Sequence, residues 1–115
     1  MKKFLAIAAV FANGSSESAS SEVKIGFIGP LTGDYANYGT LCRQAVEMAI
    51  DECNAKGGID GMTVKLIAED SEGDPNKAYA AMEKLANTDK VSAVIGPVLT
   101  GEAFSVGPIA CELGV

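Results

Sequence analysis

The chain has 115 residues, nine Lys and Arg against fifteen Asp and Glu, a formal net charge of −6, and neither His nor Trp. That length fits one domain near the lower end for burying a core, and 48% apolar residues exclude a disordered acidic tail. The acidic balance argues against nucleic acid, which needs a surplus of cationic side chains, and the absence of His removes the commonest metal ligand and the usual general base near neutral pH.

Lys2 and Lys3 precede an apolar run from Phe4 to Ala12. The run is well short of the roughly 20 residues that span a bilayer as a helix. Val10 and Ala12 supply small residues for cleavage after Ala12, so residues 1–12 read as a signal peptide. Residues 13–22 are almost wholly Ser, Glu, Ala, Gly and Asn, the composition of a flexible polar tether. This layout predicts export to the periplasm or the outer face of the cytoplasmic membrane. Asn13 stands where a lipidated Cys would be expected in a lipoprotein.

From Val23 the pattern alternates strand and helix. Val23–Gly29 is a short β-branched run closed by Gly29-Pro30, and Leu31 to Asn37 reads as a loop. Tyr38, Leu41, Cys42, Ala45, Val46, Ala49 and Cys53 recur at helical spacing, which predicts a buried stripe ended by Gly57-Gly58. Thr63 to Ala68 is a second strand. Asp74-Pro75 opens the next helix with an acid at the N-cap and Pro at its first position, and Ala78, Ala81, Met82, Leu85 and Ala86 form its stripe. Val91 to Ile95 is a third strand halted by Gly96-Pro97, and Glu102 to Leu113 a third helix. Alternating strands and helices imply parallel pairing with helices on both faces, a three-layer α/β sandwich. The alternation reaches Val115 where a fourth strand would begin, so residues 23–115 read as part of a longer lobe.

The three cysteines separate on this scheme. Cys42 and Cys53 lie eleven residues apart on one helix, a rise of roughly 16 Å, whereas a disulfide needs Cα atoms within about 7 Å. All three cysteines fall in apolar stripes and are expected as small buried hydrophobes.

Open parallel sheets take ligands beyond the carboxyl ends of their strands. Three loops occupy that edge: residues 29–37, which offer Thr32 and lead into Tyr38; residues 70–74; and residues 96–101, which offer Thr100 before a helix. A hydroxyl beside free helix N–H groups suits a carboxylate; a helix cap explains Thr100 equally well on chemistry alone. The glycines do not form a dinucleotide fingerprint or a phosphate loop. Asp70, Glu72 and Asp74 alternate like a calcium loop, but Pro75 stands where that loop requires Gly and Ala81 where it requires Glu. Asp70 and Asp74 therefore read as loop and cap carboxylates.

The segment Val23-Lys24-Ile25-Gly26-Phe27-Ile28-Gly29-Pro30-Leu31-Thr32-Gly33-Asp34-Tyr35-Ala36-Asn37-Tyr38-Gly39 resembles the opening of branched-chain amino-acid binding proteins, type I periplasmic solute-binding proteins that deliver ligand to ABC importers. Ala49-Ile50-Asp51-Glu52, Asn54-Ala55-Lys56-Gly57-Gly58-Ile59, Asp74-Pro75 and Val94-Ile95-Gly96-Pro97-Val98 resemble the same family in the same order. The resemblance implies a partial N-terminal lobe of a two-lobed clamp. It implies that Thr100 bonds the ligand's α-carboxylate, that Gly101 offers a backbone N–H, and that Tyr38 packs near the ligand. Leu99 replaces a smaller polar residue of the family pattern, and Thr100 carries a methyl where Ser is commoner. The implied ligand is Leu, Ile, Val or a similar aliphatic amino acid, and the implied partners are ABC permease subunits, with no cofactor, no metal and no catalytic residue. A sensory or regulatory domain of the same fold, and a partial lobe with no binding activity, are the alternative readings.

Overall fold

The computed structural model describes residues 22–115; the segment read as a signal peptide, and all of the tether but Glu22, lie outside the described residues. Strand β1 spans Glu22–Gly29, helix α1 Ala36–Ala55, β2 Thr63–Asp70, α2 Pro75–Asn87, β3 Ala93–Ile95 and α3 Thr100–Leu113. The sheet order is β2-β1-β3, with both neighbours parallel to the central β1. This is the α/β architecture with a parallel sheet that the alternation predicts. No helix among the described residues is long and apolar enough to cross a membrane.

Strand alternation sends successive side chains to opposite faces. Ile28 joins Met82 and Leu85 of α2 and Val106 and Ile109 of α3 in a buried cluster against which Ile67 and Val94 pack. Ile25, Val64, Ala93 and Ile95 look the other way, toward α1. The α2 stripe of Ala78, Ala81, Met82 and Leu85 is buried as its spacing predicts. Asp74 caps that helix by accepting from the Asn76 N–H at 2.8 Å, and Pro75 fills its first position, where a missing N–H costs nothing.

The α1 stripe departs from expectation. Tyr38 is 62% exposed and Leu41 67%, and Gly39 alone of the helix is buried. Helix α1 lies over β2 and β1 and leaves an open apolar groove of about 500 Å³ between Ala45, Val46, Ala49 and the sheet. The cysteines follow the same correction: Cys42 and Cys111 are exposed and Cys53 half-buried. Cys42 lies on the open side of α1, and Cys111 lies across α3 from its core stripe of Glu102, Val106 and Ile109. Apolar spacing marks which side of a helix can be buried; it takes a covering layer to bury it.

Three local contacts place α1 and β3. A Cβ at Gly39 would collide with the Pro30 carbonyl, so glycine lets the first turns of α1 press onto the end of β1. At the other end the Asn54 amide donates to the Val64 carbonyl at 2.9 Å and accepts from the Val64 N–H at 2.8 Å, pairing with β2 as a strand would. Strand β3 is shorter than the apolar run from Val91. The Val91 N–H donates to Leu85 at the end of α2, and only from Ser92, which donates to the Lys24 carbonyl, does the chain join the sheet.

Glu102 sits in the core stripe of α3 with 0% exposure, and neither carboxylate oxygen has a hydrogen-bond partner. An unpartnered polar group in an apolar interior is destabilising by about 1–3 kcal/mol on mutational evidence. Glu102→Met, of matching length, is therefore expected to raise the unfolding free energy by about that amount. Urea denaturation of the two proteins checks it, and an unchanged or lowered midpoint contradicts it.

Candidate functional site

The register fixes where chemistry can gather. Gly29 pairs with Asp70 and Phe27 with Ile95, so the three strands end together and deliver their following loops to one edge. The Asp70 carboxylate ties two of those loops. Its Oδ1 accepts from the Leu31 N–H at 2.7 Å, the Thr32 N–H at 3.3 Å and the Glu72 N–H at 2.8 Å, and its Oδ2 accepts from the Thr32 hydroxyl at 2.6 Å. Burial pushes this carboxyl up, but the Thr32 hydroxyl and the N–H groups of Leu31, Glu72 and Thr32 outweigh it and hold the acid below its ordinary value. Asp70 is thus the loop carboxylate the sequence suggests. Thr32, which the sequence offers as a hydroxyl at the edge, is engaged by Asp70.

Helix α3 carries the other expected residues. Its N-cap is Leu99, in an extended conformation, and no side chain caps it. Thr100 is the first helical residue and Gly101 the second, both exposed. The capping role that chemistry alone allows Thr100 is therefore absent: its residue lies inside the helix, one position past the cap. The first N–H groups of a helix have no intrahelical acceptor, and the dipole gives that end a partial positive charge. The Ser105 hydroxyl donates to the Pro75 carbonyl at 3.0 Å, which fixes the first turns of α3 against the start of α2.

Tyr38 lies in the first turn of α1, mostly exposed. One turn earlier, Tyr35 makes the contact between loops. A Cβ on Gly73 would stand 3.0 Å from Tyr35 Cδ2 and 3.6 Å from Leu99 Cδ1, so the ring and the leucine flank the same glycine. Gly73 has φ of +79°, a conformation that side chains rarely adopt. One residue from each edge loop meets there. Helical spacing draws attention to Tyr38; the signal for Tyr35 is its place in the loop, directly before the helix begins.

The sequence profile of the periplasmic binding protein family matches residues 22–115. Over 97 residues the chain is 39% identical to the Leu/Ile/Val-binding protein BraC3 of Rhizobium johnstonii, covering 84% of this chain and 26% of that protein. It is 34% identical over 115 residues to a leucine-, isoleucine-, valine-, threonine- and alanine-binding protein of Pseudomonas aeruginosa, covering all of this chain and 31% of that one. The fold is similar, with a TM-score of 0.80 and 35% identity, to the branched-chain amino acid transporter substrate-binding protein LivJ of Streptococcus pneumoniae, solved in complex with isoleucine; 82% of this chain and 27% of that chain are covered. The chain thus spans between a quarter and a third of the length of these relatives.

Asp70→Ala removes the tie between the two loops. It is expected to lower stability at neutral pH by about 1.5–3 kcal/mol, the usual range for hydrogen bonds to a charged group. A carboxyl held below its ordinary value of 3.8 stabilises the fold above that pH and loses the contribution as pH falls through its lowered folded value. The stability gap between the two proteins, read by urea denaturation across pH, should therefore be full at pH 7 and close in acid below 3.8. A gap that stays constant contradicts the assignment.

Proposed function

The chain belongs to the periplasmic binding protein family, a family of solute-binding proteins rather than enzymes, and we propose that it forms the carboxylate-anchoring part of an extracytoplasmic receptor for aliphatic amino acids serving an ABC importer. The observation that carries this reading is the uncapped start of α3: an exposed hydroxyl on Thr100, a glycine after it, and first-turn N–H groups without a capping side chain, at the carboxyl edge of a parallel sheet. A carboxylate there would accept from those N–H groups and from the hydroxyl while lying at the positive end of the helix dipole. The relatives' names and the isoleucine in the LivJ structure support an aliphatic amino acid as ligand.

The mechanism is binding without turnover. The α-carboxylate anchors on α3, the side chain lies on apolar surface of the edge, and a second lobe closes over both, as such receptors do by hinge motion. Partners are the permease subunits that receive the closed, loaded form. The described lobe offers one side of this clamp, so the chain by itself should bind leucine no better than millimolar. Part of the ligand's surface stays in water, and buried area is what pocket affinity draws on.

Titration of the ¹⁵N-labelled chain with leucine should shift the amide resonances of Thr100 and Gly101, whereas leucinamide, which lacks the carboxylate, should leave them in place. Thr100→Val should weaken leucine by about tenfold or more, the usual effect of losing a hydrogen bond to a charged group. Equal shifts with leucine and leucinamide would overturn the reading.

A further inference from the structure

We propose that Glu102 takes two positions, the buried one of the structure and a second one reached back over the start of α3, and that in the second it competes with the ligand's carboxylate and lowers the affinity of the site. This rests on the carboxylate anchor at Thr100 and Gly101. Leu99 is the N-cap of α3, and Thr100, Gly101 and Glu102 are its first three residues. A Glu third in a helix is half of a capping box, because its side chain can reach back to the N–H of the N-cap residue. The other half needs a Ser or Thr at the cap, and Leu99 has no group for it. Among the described residues no backbone carbonyl accepts from the Leu99, Thr100 or Gly101 N–H groups, and no side chain caps the helix. The free donors and the carboxylate that could satisfy one of them thus share a single turn and stand apart.

Neither position satisfies every group. In the buried one Glu102 lies in the core stripe with Val106 and Ile109, at 0% exposure, and its two oxygens have no partner. Such a group has given up its hydration with no bond in return. In the second position the carboxylate regains water, accepts from the Leu99 N–H and lies at the positive end of the helix dipole, while the core loses the packing of its methylenes. The way between the two is short. Helical Cα–Cβ bonds tilt toward the N-terminus, so rotation about the side-chain bonds carries the carboxylate from core to cap with the backbone in place. Gly101 adds no side chain to the turn, and a Cβ built on it would meet Pro75 Cγ at 3.8 Å, an ordinary contact. A carboxylate at the Leu99 N–H stands beside the place of the ligand's carboxylate on Thr100 and Gly101, and like charges that close repel even in water. The ligand therefore selects the chains with Glu102 in the core, and the apparent affinity scales with their fraction.

The test is a set of leucine titrations of the ¹⁵N-labelled chain and two variants, read from the Thr100 and Gly101 amides. Glu102→Met fills the buried position and brings no charge to the cap, so it should bind leucine roughly three- to tenfold more tightly than the parent chain. Glu102→Gln can still reach the Leu99 N–H but carries no charge, and it should also bind more tightly than the parent. The Leu99 amide reports the second position itself, which a change in core packing would not. In the free parent chain it should lie downfield of its place in Glu102→Met, and leucine should move it toward that place as Glu102 returns to the core. Should Glu102→Met fail to fold, Glu102→Gln carries the affinity comparison. Equal leucine affinity in the parent and the variants, with Thr100 and Gly101 still shifting, would overturn the competition and leave the carboxylate anchor intact. A Leu99 amide at the same place in the free parent and in Glu102→Met would overturn it too. No shift at Thr100 or Gly101 with leucine in any of the three chains would overturn the anchor, and the competition with it.

Discussion

A single carboxylate holds the edge of this sheet in order. Asp70 is the last residue of β2, and its two oxygens take four hydrogen bonds from the loop after β1 and from the loop that follows Asp70 itself. Parallel strands have no hairpins to fix their ends, and each crossover leaves a loop that must find its own backbone partners. Asp70 supplies those partners for Leu31, Thr32 and Glu72, and in doing so sets the start of α1 relative to α2. The packing of Tyr35 over Gly73 then follows from the placing of both loops. Donors and acceptor depend on one another: the N–H groups and the Thr32 hydroxyl keep the acid ionised, and the ionised acid keeps the loops in place.

The two faces of the sheet are finished unequally. On the face carrying α2 and α3, Ile28, Met82 and Leu85 are fully buried, and the core is continuous from the sheet to both helices. On the other face α1 covers β2 and part of β1, and Ile95 of β3 remains 44% exposed beside the apolar groove. A second, smaller recess of about 250 Å³ lies between β3 and α3, lined by Val94, Ala103, Gly107 and Ala110 among others. Both recesses touch β3, which has no further strand beside it among the described residues. Relatives three to four times as long share this same region of fold.

Much of this was legible in the sequence because the signals were local. Asp74-Pro75 announces a helix start through the geometry of the cap and of proline, and the stripe from Ala78 to Leu85 faces the core as its period requires. The family resemblance rests on ordered motifs of the same local kind. What the sequence could not show depends on neighbours distant along the chain. The apolar side of α1 reads as buried, yet Tyr38 and Leu41 are exposed, because burial needs a layer that the periodicity does not supply. Thr100 resembles a cap, but the extended conformation of Leu99 takes that position and moves the hydroxyl into the first turn. Helical spacing does not single out Tyr35, since its contact is with a glycine thirty-eight residues away that turns its backbone to the left-handed region.

The proposed carboxylate site requires that an anion be drawn to an edge whose loops are themselves acidic. The requirement is met in how each acid is engaged. Asp70 faces four donors, Asp74 accepts from the first turn of α2, and Glu72 pairs with Lys77 at 2.9 Å. These three charges each have a donor or a cation at hydrogen-bond range, so their fields are partly cancelled before they reach α3, and solvent screens what remains together with the exposed Asp34. The start of α3 has no such engagement, because Leu99 cannot cap it. Its N–H groups stay available in a setting where neighbouring donors are already taken. Glu102 lies in that same turn, but it is turned into the core and bonds to none of them. The carboxylate that the proposed function places there would thus meet donors that the chain has left open, at the end of the helix where its charge is favoured.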